Sequence, residues 1–502
     1  MAMPASGSGR PLKQVRPLGE LLAAGLAAFS FLLIGLVWAV PQQTPLILTL
    51  SGMGLLLVFL GLRSPALAVT YLLAATFFRL AIPSGTFPVD PFLPAFAGAL
   101  LSTWLWVRFR APARPTLGAI EAAMGLYVLL NLISASLPHE YSAQARAGDS
   151  LSRFILIGTV MPLSMFVVGR FVFRTESAVR QLMWALVMAG AYSAFVSIGQ
   201  FHLPSLVWPR YIVDSPEWVG RANGVFNQPV VNGLVLIVGF LVAMLIVAHN
   251  NEPRILRFVA CTVAAASAYA IYLTHTRAVW LSFALVVLVG CVSAKGFRTG
   301  FLVTAALMTA AITVNWATFT SSDRAAGGVG SAGEVQDRLN TLATSIWALE
   351  RKPLLGWGIL RFSSVNTDHH QQWSPSTPWE RGFGIPSHFD IVGIAVELGV
   401  VGLILWVGIL YLVIRRLAQA VRRLPEQGVY NRPLAWTALM CLIALITTGL
   451  TVDLRFFDFC NIIVWLLAGA VVERLEHAEL HAEDRQWRGS SVPAPMPSGA
   501  AT

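Results

Sequence analysis

Apolar residues in this chain come in runs of about 20, one after another, and this spacing restricts the fold more than any other feature. A helix needs about 20 apolar residues to cross a hydrocarbon core of about 30 Å. Within lipid no water satisfies backbone N–H and C=O groups, so continuous apolar runs must be helices. Such runs fall near residues 19–40, 44–62, 64–81, 89–107, 116–136, 150–172, 179–200, 229–248, 256–274, 278–294, 299–317, 388–413, 433–450 and 457–472. The chain is 56% hydrophobic and only 12% charged, whereas soluble domains carry about twice that charged share. The expected fold is therefore an all-α, polytopic integral membrane helical bundle of about 12–14 transmembrane helices.

The net charge of +10 does not make this a nucleic-acid binder. Its cations sit between apolar runs, mostly in alternate segments: Arg63; Arg108, Arg110 and Arg114; Arg170, Arg174 and Arg180; Arg254 and Arg257; Lys295 and Arg298; Arg415, Arg416, Arg422, Arg423 and Arg432. Segments 41–43 and 82–88 on the other side carry none. The positive-inside bias then places both termini in the cytoplasm. Residues 1–18 read as a cytoplasmic tail, and the long apolar run after them as an uncleaved first helix. Cys261, Cys291, Cys441 and Cys460 all lie in apolar runs, so no disulfide framework and no metal-ligand spacing appears. Neither a Walker A motif nor a dinucleotide glycine fingerprint is present, and no cofactor or metal is expected.

The expected organisation is a transmembrane region over 19–317, one large periplasmic loop over 318–387, transmembrane helices over 388–473, and a largely disordered cytoplasmic tail over 474–502. Within the loop, 321–333 reads as a linker. Val335, Leu339, Leu342, Ile346 and Leu349 then recur at helical spacing, predicting an amphipathic helix on the membrane surface or over a cavity. Residues 363–387, with His369, His370, Trp373 and Trp379, read as an irregular lid.

Many cations break the orientation pattern by falling on the outer side, among them Arg79, Arg146, Arg153, Arg210, Arg221, Arg277, Arg324, Arg338, Arg361, Arg381 and Arg455. One such residue would be a snorkelling anchor; so many point to an anionic partner. Four stretches concentrate polar chemistry there. RANGVFNQPVVNG (221–233) offers Arg221, Asn227, Gln228 and Asn232 at a helix entrance, where a capped turn is the plainer reading. THTRAVW (274–280) holds Arg277 beside His275 and two threonines, where interfacial anchoring would suffice. The amphipathic helix carries Arg338 and ends in LLGWG. SHFDIVGIAVELGVVG (387–402) opens a span with His388 and Asp390 and buries Glu397, which is costly in lipid without a partner.

In order and spacing these four stretches resemble the O-antigen ligase and Wzy-type polymerase superfamily of bacterial membrane glycosyltransferases. The matching residues are Arg221 to Asn227, Thr274 to Arg277, Arg338 with Gly356 and Gly358, and His388. The resemblance covers about residues 215–415. The family's Asn after the histidine is Phe389 here, and Gln228 separates Asn227 from Pro229.

The resemblance implies transfer of a glycan from an undecaprenyl-pyrophosphate donor to an acceptor hydroxyl on the periplasmic side of the inner membrane. The acceptor would be lipid A-core in a ligase or a second lipid-linked glycan in a polymerase. It implies Arg221, Arg277 and Arg338 as pyrophosphate ligands, since guanidinium groups bind phosphate oxygens bidentately. His388 would be the base, with Asp390 or Glu397 orienting it and Asn227 and His275 supporting the site. Transfer would be inverting and metal-independent. A lipid-linked glycan transporter explains many helices and outer arginines equally well, but it predicts mid-membrane ionisable groups and an internal repeat. A peptidoglycan polymerase would need an outer catalytic carboxylate.

Overall fold

A computed structural model describes residues 64–82, 90, 92–109, 116–143, 150–249, 252–323, 327–330 and 333–490, with side chains to 482. The expected spans over 19–40 and 44–62, the N-terminal tail, Arg146, Arg324 and the end of the C-terminal tail lie outside these residues. The described chain is helical, without strands.

The chain divides into two compact units. The described part of the first (residues 1–75 and 82–114) holds most of α1 (Pro65–Phe77) and all of α2 (Phe92–Phe109). The second (76–81 and 115–502) contains every residue of the candidate site. Its helices are α3 (Ala119–Ser136), α4 (Leu151–Val172), α5 (Glu176–His202), α6 (Pro229–Ala248), α7 (Arg254–Leu273), α8 (Arg277–Ser293), α9 (Arg298–Val314), α10 (Gly333–Arg351), α11 (Asp390–Arg423), α12 (Arg432–Gly449) and α13 (Asp458–Ser490). Among the described residues 8 helices are long and apolar enough to cross a membrane, and α1, α8 and α9 are shorter apolar helices. The protein is a multi-pass helical membrane protein.

Helix α6 is the hub. It is apolar on all sides, as a helix enclosed by other helices must be, and it packs on α5, α7 and α12. Pro229 at its first turn needs no N–H partner, and the Gln228 side chain accepts from Val230 N, 3.4 Å. Gly190 of α5 and Gly239 of α6 face each other so closely that a Cβ on either would strike the other backbone. Helix α13 packs most extensively on α4 and continues to Ser490, so residues 474–490, within the segment expected to be a largely disordered tail, are helical. Its polar continuation is held by ion pairs: Glu476 with Arg170 and Arg416, and Glu479 with Arg416 and Arg423. Buried Arg170 also meets Glu121, which accounts for that carboxylate within an apolar segment.

Two departures from helical regularity shape the opposite end of the bundle. In α4, residues Leu156–Val160 form a π-turn, a feature that often marks functional sites. Gly158 within it leaves room for the Arg455 carbonyl. In α11, Gly399 sits at φ 66° and ψ −167°, outside helical geometry, and breaks the helix. Residues 353–358 fill the break. Trp357 N donates to Val396 O (2.9 Å), Gly358 N to Glu397 O (2.9 Å), and Val400 N to Pro353 O (2.8 Å). The carbonyls and amides freed by the break are thus satisfied inside the protein, which lipid would not allow otherwise.

Helix α10 lies where the apolar periodicity put it, with its apolar stripe turned outward and its polar stripe inward. Its buried side chains are Asp337, Asn340, Thr341, Thr344, Ser345 and Ala348, while Val335 and Ile346 are 45% and 47% exposed. The polar stripe faces inward because the lid hangs from it. Asn340 Nδ2 donates to Thr377 O and Pro378 O, and its Oδ1 accepts from Trp373 N at 2.8 Å. Thr344 Oγ1 accepts from Gln371 N (2.9 Å), and Asp337 Oδ1 from Glu380 N (2.8 Å).

Candidate active site

Four chain segments meet around the N-terminal end of α11. The loop carrying Arg221 is stitched to the α7–α8 turn. Ala222 N donates to Leu273 O (2.9 Å), and His275 Nδ1 donates to Gly220 O (2.7 Å); the carbonyl can only accept, so the proton is on Nδ1. From below, Asn232 Nδ2 donates to Ala222 O (3.0 Å) and Gln200 Nε2 to Arg221 O (2.8 Å). Gly224, at φ 60°, leaves the space that the Asn232 amide occupies. Arg221 is therefore presented by a rigid loop, with its guanidinium 5.0 Å over the Trp218 ring and 3.8 Å from Glu334. Asn227 serves the same loop: it adopts φ 47°, and its Oδ1 accepts from Glu217 N at 3.0 Å. His275 and Asn227 are thus fastenings of the backbone behind Arg221.

Arg277 opens α8 directly after a turn closed by Thr274 and Thr276, whose hydroxyls donate to Ile271 O and Thr274 O. It lies at the edge of an apolar groove of about 1010 Å³ between α6, α7, α8 and α9, lined along its length by Met244, Tyr272, Trp280, Val303 and Leu307. Arg338 comes from α10, and among the described residues no carboxylate pairs with it. One residue earlier, Asp337 takes Arg381 of the lid at 2.7 Å.

His388 lies between these cations and the segment after α12. Its backbone is left-handed at φ 55°, and Ser387 before it and Asp390 two residues after it are clamped. Ser387 Oγ reaches Asp453 at 3.1 Å, and Asp390 accepts from Leu454 N at 2.5 Å. Its Nε2 is buried without a hydrogen-bond partner. Asp390 and Glu397 do not orient it: Asp390 is spent on Leu454, and Glu397 pairs with Arg455 at 2.7 Å. Both carboxylates were tied to His388 by sequence proximity, but their partners come from 58 to 64 residues further along. Asp453 was not singled out in the sequence, and Arg455 appeared there only as one of the outer-side cations; the structure makes the two the supports of this corner. Their only signal was a pair of opposite charges in a short segment between two apolar runs.

The electrostatics join the segments into one cationic cup. Burial lowers Arg221, and Arg277 lowers it further. Burial also lowers Arg338, aided by Arg381 and Arg277. His388 is pushed down to about 3, first by burial and then by Arg381 and Arg338, against the opposing pull of Asp453 and Asp337. Arg455 behaves differently. Burial works against its charge, but Asp453 and Glu397 outweigh burial and hold it above its ordinary value. Arg338 and Arg381 thus act on a buried imidazole whose Nε2 has no hydrogen-bond partner, and such perturbed groups concentrate at functional sites.

Residues 262–407 match the family of O-antigen ligases. That segment holds Arg277, Arg338, Arg381 and His388, while Arg221, Asp453 and Arg455 come from either side of it. No curated protein matches the chain. The matching segment lies within a multi-pass helical membrane protein. No group of three or more metal-ligating side chains occurs among the described residues.

Proposed function

We propose that the protein is an O-antigen ligase-type glycosyltransferase that moves a glycan from an undecaprenyl-pyrophosphate carrier to an acceptor hydroxyl. The observation that carries this reading is the buried, unpartnered Nε2 of His388 beside a cup of arginines that opens onto an apolar groove. A long polyprenyl tail needs an apolar slot at membrane depth, and its pyrophosphate needs cations at the slot's mouth, where Arg277 sits.

In the reaction the acceptor oxygen attacks the anomeric carbon and its proton passes to Nε2 of His388. The bond from that carbon to the pyrophosphate oxygen breaks, and its electron pair leaves with the lipid pyrophosphate. Arg221, Arg277 and Arg338 take up the charge that develops there; one well-placed donor of this kind is worth about 10²–10³ in rate. The attack comes opposite the leaving group, so the anomeric centre inverts. The bound pyrophosphate also offsets the positive field of Arg338 and Arg381, which raises the basicity of His388 when the donor is in place.

The arginine-lined end then faces the periplasm. The opposite end, with Arg170, Arg174, Arg416 and Arg423, lies at the cytoplasm, in keeping with the charge bias of the chain. The apolar stripe of α10, continued by exposed Leu354 and Leu355, rests in the outer face of the inner membrane.

The test is transfer in nanodiscs, with an undecaprenyl-pyrophosphate-linked glycan and either lipid A-core or a second lipid-linked glycan as acceptor. Mass spectrometry should detect a new glycosidic bond, and His388→Ala should reduce its formation by about 10²–10⁴-fold. Movement of the glycan across a sealed vesicle with no new bond would replace this reading with a transporter.

A further inference from the structure

The lid contains a second pocket that neither the arginine cup nor the apolar groove uses. It encloses about 440 Å³ and is lined by His370, Gln371, Gln372, Pro378, Trp379 and Phe383, a size within the range of about 300–1,000 Å³ typical of small-ligand sites. We infer that it is a carbohydrate subsite, which holds a neutral pyranose ring of one of the two glycans next to the reaction centre.

The lining favours that class of ligand over others. It carries no carboxylate, lysine or arginine, so a phosphate or a charged peptide finds no counter-ion there. Each glutamine amide donates once within the lid, Gln371 to His369 O and Gln372 to Thr377 O, and still offers a second N–H and its oxygen, matching the dual character of sugar hydroxyls. The aromatic rings supply the flat apolar surface on which a pyranose C–H face packs. The His370 ring is stacked on Phe383 at 3.5 Å between centroids, and Trp379 meets Phe383 edge-on at 5.7 Å. The indole N–H of Trp379 is buried without a protein partner.

The pocket is also prebuilt and well placed. The strap that forms it is fixed to α10 by the Asn340, Thr344 and Asp337 bonds given above, so its geometry costs little to organise on binding. Trp379 and Phe383 flank Arg381, the cation that acts most strongly on His388. A sugar in the pocket therefore lies beside the cup. The inference takes its context from the transfer reading, but the class of ligand follows from the pocket alone.

The experiment separates the two. Saturation-transfer NMR on the full chain in nanodiscs would use methyl glucoside, methyl galactoside, methyl mannoside, methyl rhamnoside and N-acetylglucosamine at millimolar concentration. Inorganic pyrophosphate serves as the control for the arginine cup. At least one sugar should give signal that pyrophosphate does not displace. Gln372→Ala should weaken that binding by about 3- to 10-fold, the worth of one neutral hydrogen bond, and Trp379→Leu should weaken it more. Gln372 is exposed and its side chain makes a single 3.3 Å bond to Thr377 O, while Asn340, Thr344 and Asp337 continue to hold the strap, so its substitution leaves the fold intact even if Trp379→Leu does not. In transfer assays the same variants should raise KM for either the donor or the acceptor with little change in kcat, and which one rises tells whose sugar is held. Sugar binding without any transfer would leave the subsite standing and remove the enzymatic reading. No signal from any sugar, or wild-type signal in both Gln372→Ala and Trp379→Leu, would overturn the subsite.

Discussion

Arg455 Nη1 lies 2.7 Å from Glu397 Oε2, and the other face of the same guanidinium meets Asp453 at 2.6 Å. Through this one side chain the broken end of α11 is locked to the segment that clamps His388. Removing one partner from a buried ion pair leaves an uncompensated charge and costs about 3–5 kcal/mol. Arg455→Met should therefore lower the melting temperature of the protein strongly in scanning fluorimetry, and Arg455→Lys less, since a lysine keeps the charge but not the fork. An unchanged melting temperature in Arg455→Met would mean that the pair is not what holds the end of α11.

The break at Gly399 makes a second, opposed pair of expectations. Its backbone conformation is one that essentially only glycine adopts, at a cost of about 1–3 kcal/mol for other residues, and a Cβ there would strike the Leu354 backbone. Gly408, nine residues on in the same helix, has open space around its Cα, and alanine in a helix interior is favoured over glycine by about 1 kcal/mol. Gly399→Ala should destabilise and Gly408→Ala should not. Thermal unfolding of the two side by side is the measurement; equal shifts would speak against insertion of residues 353–358 into the break.

For the arginine cup the prediction is kinetic. Arg277→Ala or Arg338→Ala should reduce kcat/KM for a pyrophosphate-linked donor by about 10²–10³-fold. Lysine at either position should recover only part of the loss, because a point charge cannot bind two phosphate oxygens in a fork. Parity of alanine and wild type would take that arginine out of the leaving-group site.

The helices, and the set of segments that supply Arg221, Arg277, Arg338 and His388, were legible because hydrophobic run length and local motifs are properties of neighbouring residues. What was not legible depends on distant partners. Asp390 and Glu397 sit near His388 in sequence, yet they are claimed by Leu454 and Arg455. Helix α10 was predicted from its apolar period, but a period fixes only that two faces differ. Which face turns inward was decided by the lid, whose backbone needs Asp337, Asn340 and Thr344 as hydrogen-bond partners.

That dependence gives a prediction for the lid. Asn340 is fully buried and makes three bonds to the strap. Asn340→Ala should free residues 371–381, speeding proteolytic cleavage there by a large factor while leaving the transmembrane helices protected. Cleavage at the wild-type rate would show that Asn340 is not what holds the strap.

His388 sets a pH dependence whose sign can be worked out. Its value in the folded protein is about 3 against 6.5 ordinarily, so between those values the unfolded chain binds a proton that the folded one refuses. Stability from this group therefore falls as pH drops below about 6.5 and levels off near 3. His388→Asn removes the titration and keeps the left-handed backbone, which asparagine tolerates. Wild type should lose more melting temperature than His388→Asn on going from about pH 7.5 to about pH 5. Inorganic pyrophosphate should shrink that difference, because it offsets Arg381 and Arg338, the cations that help to keep the ring neutral. If the two proteins lose stability in parallel, His388 is not held neutral by this site, and a base role would have to rest on kinetics alone.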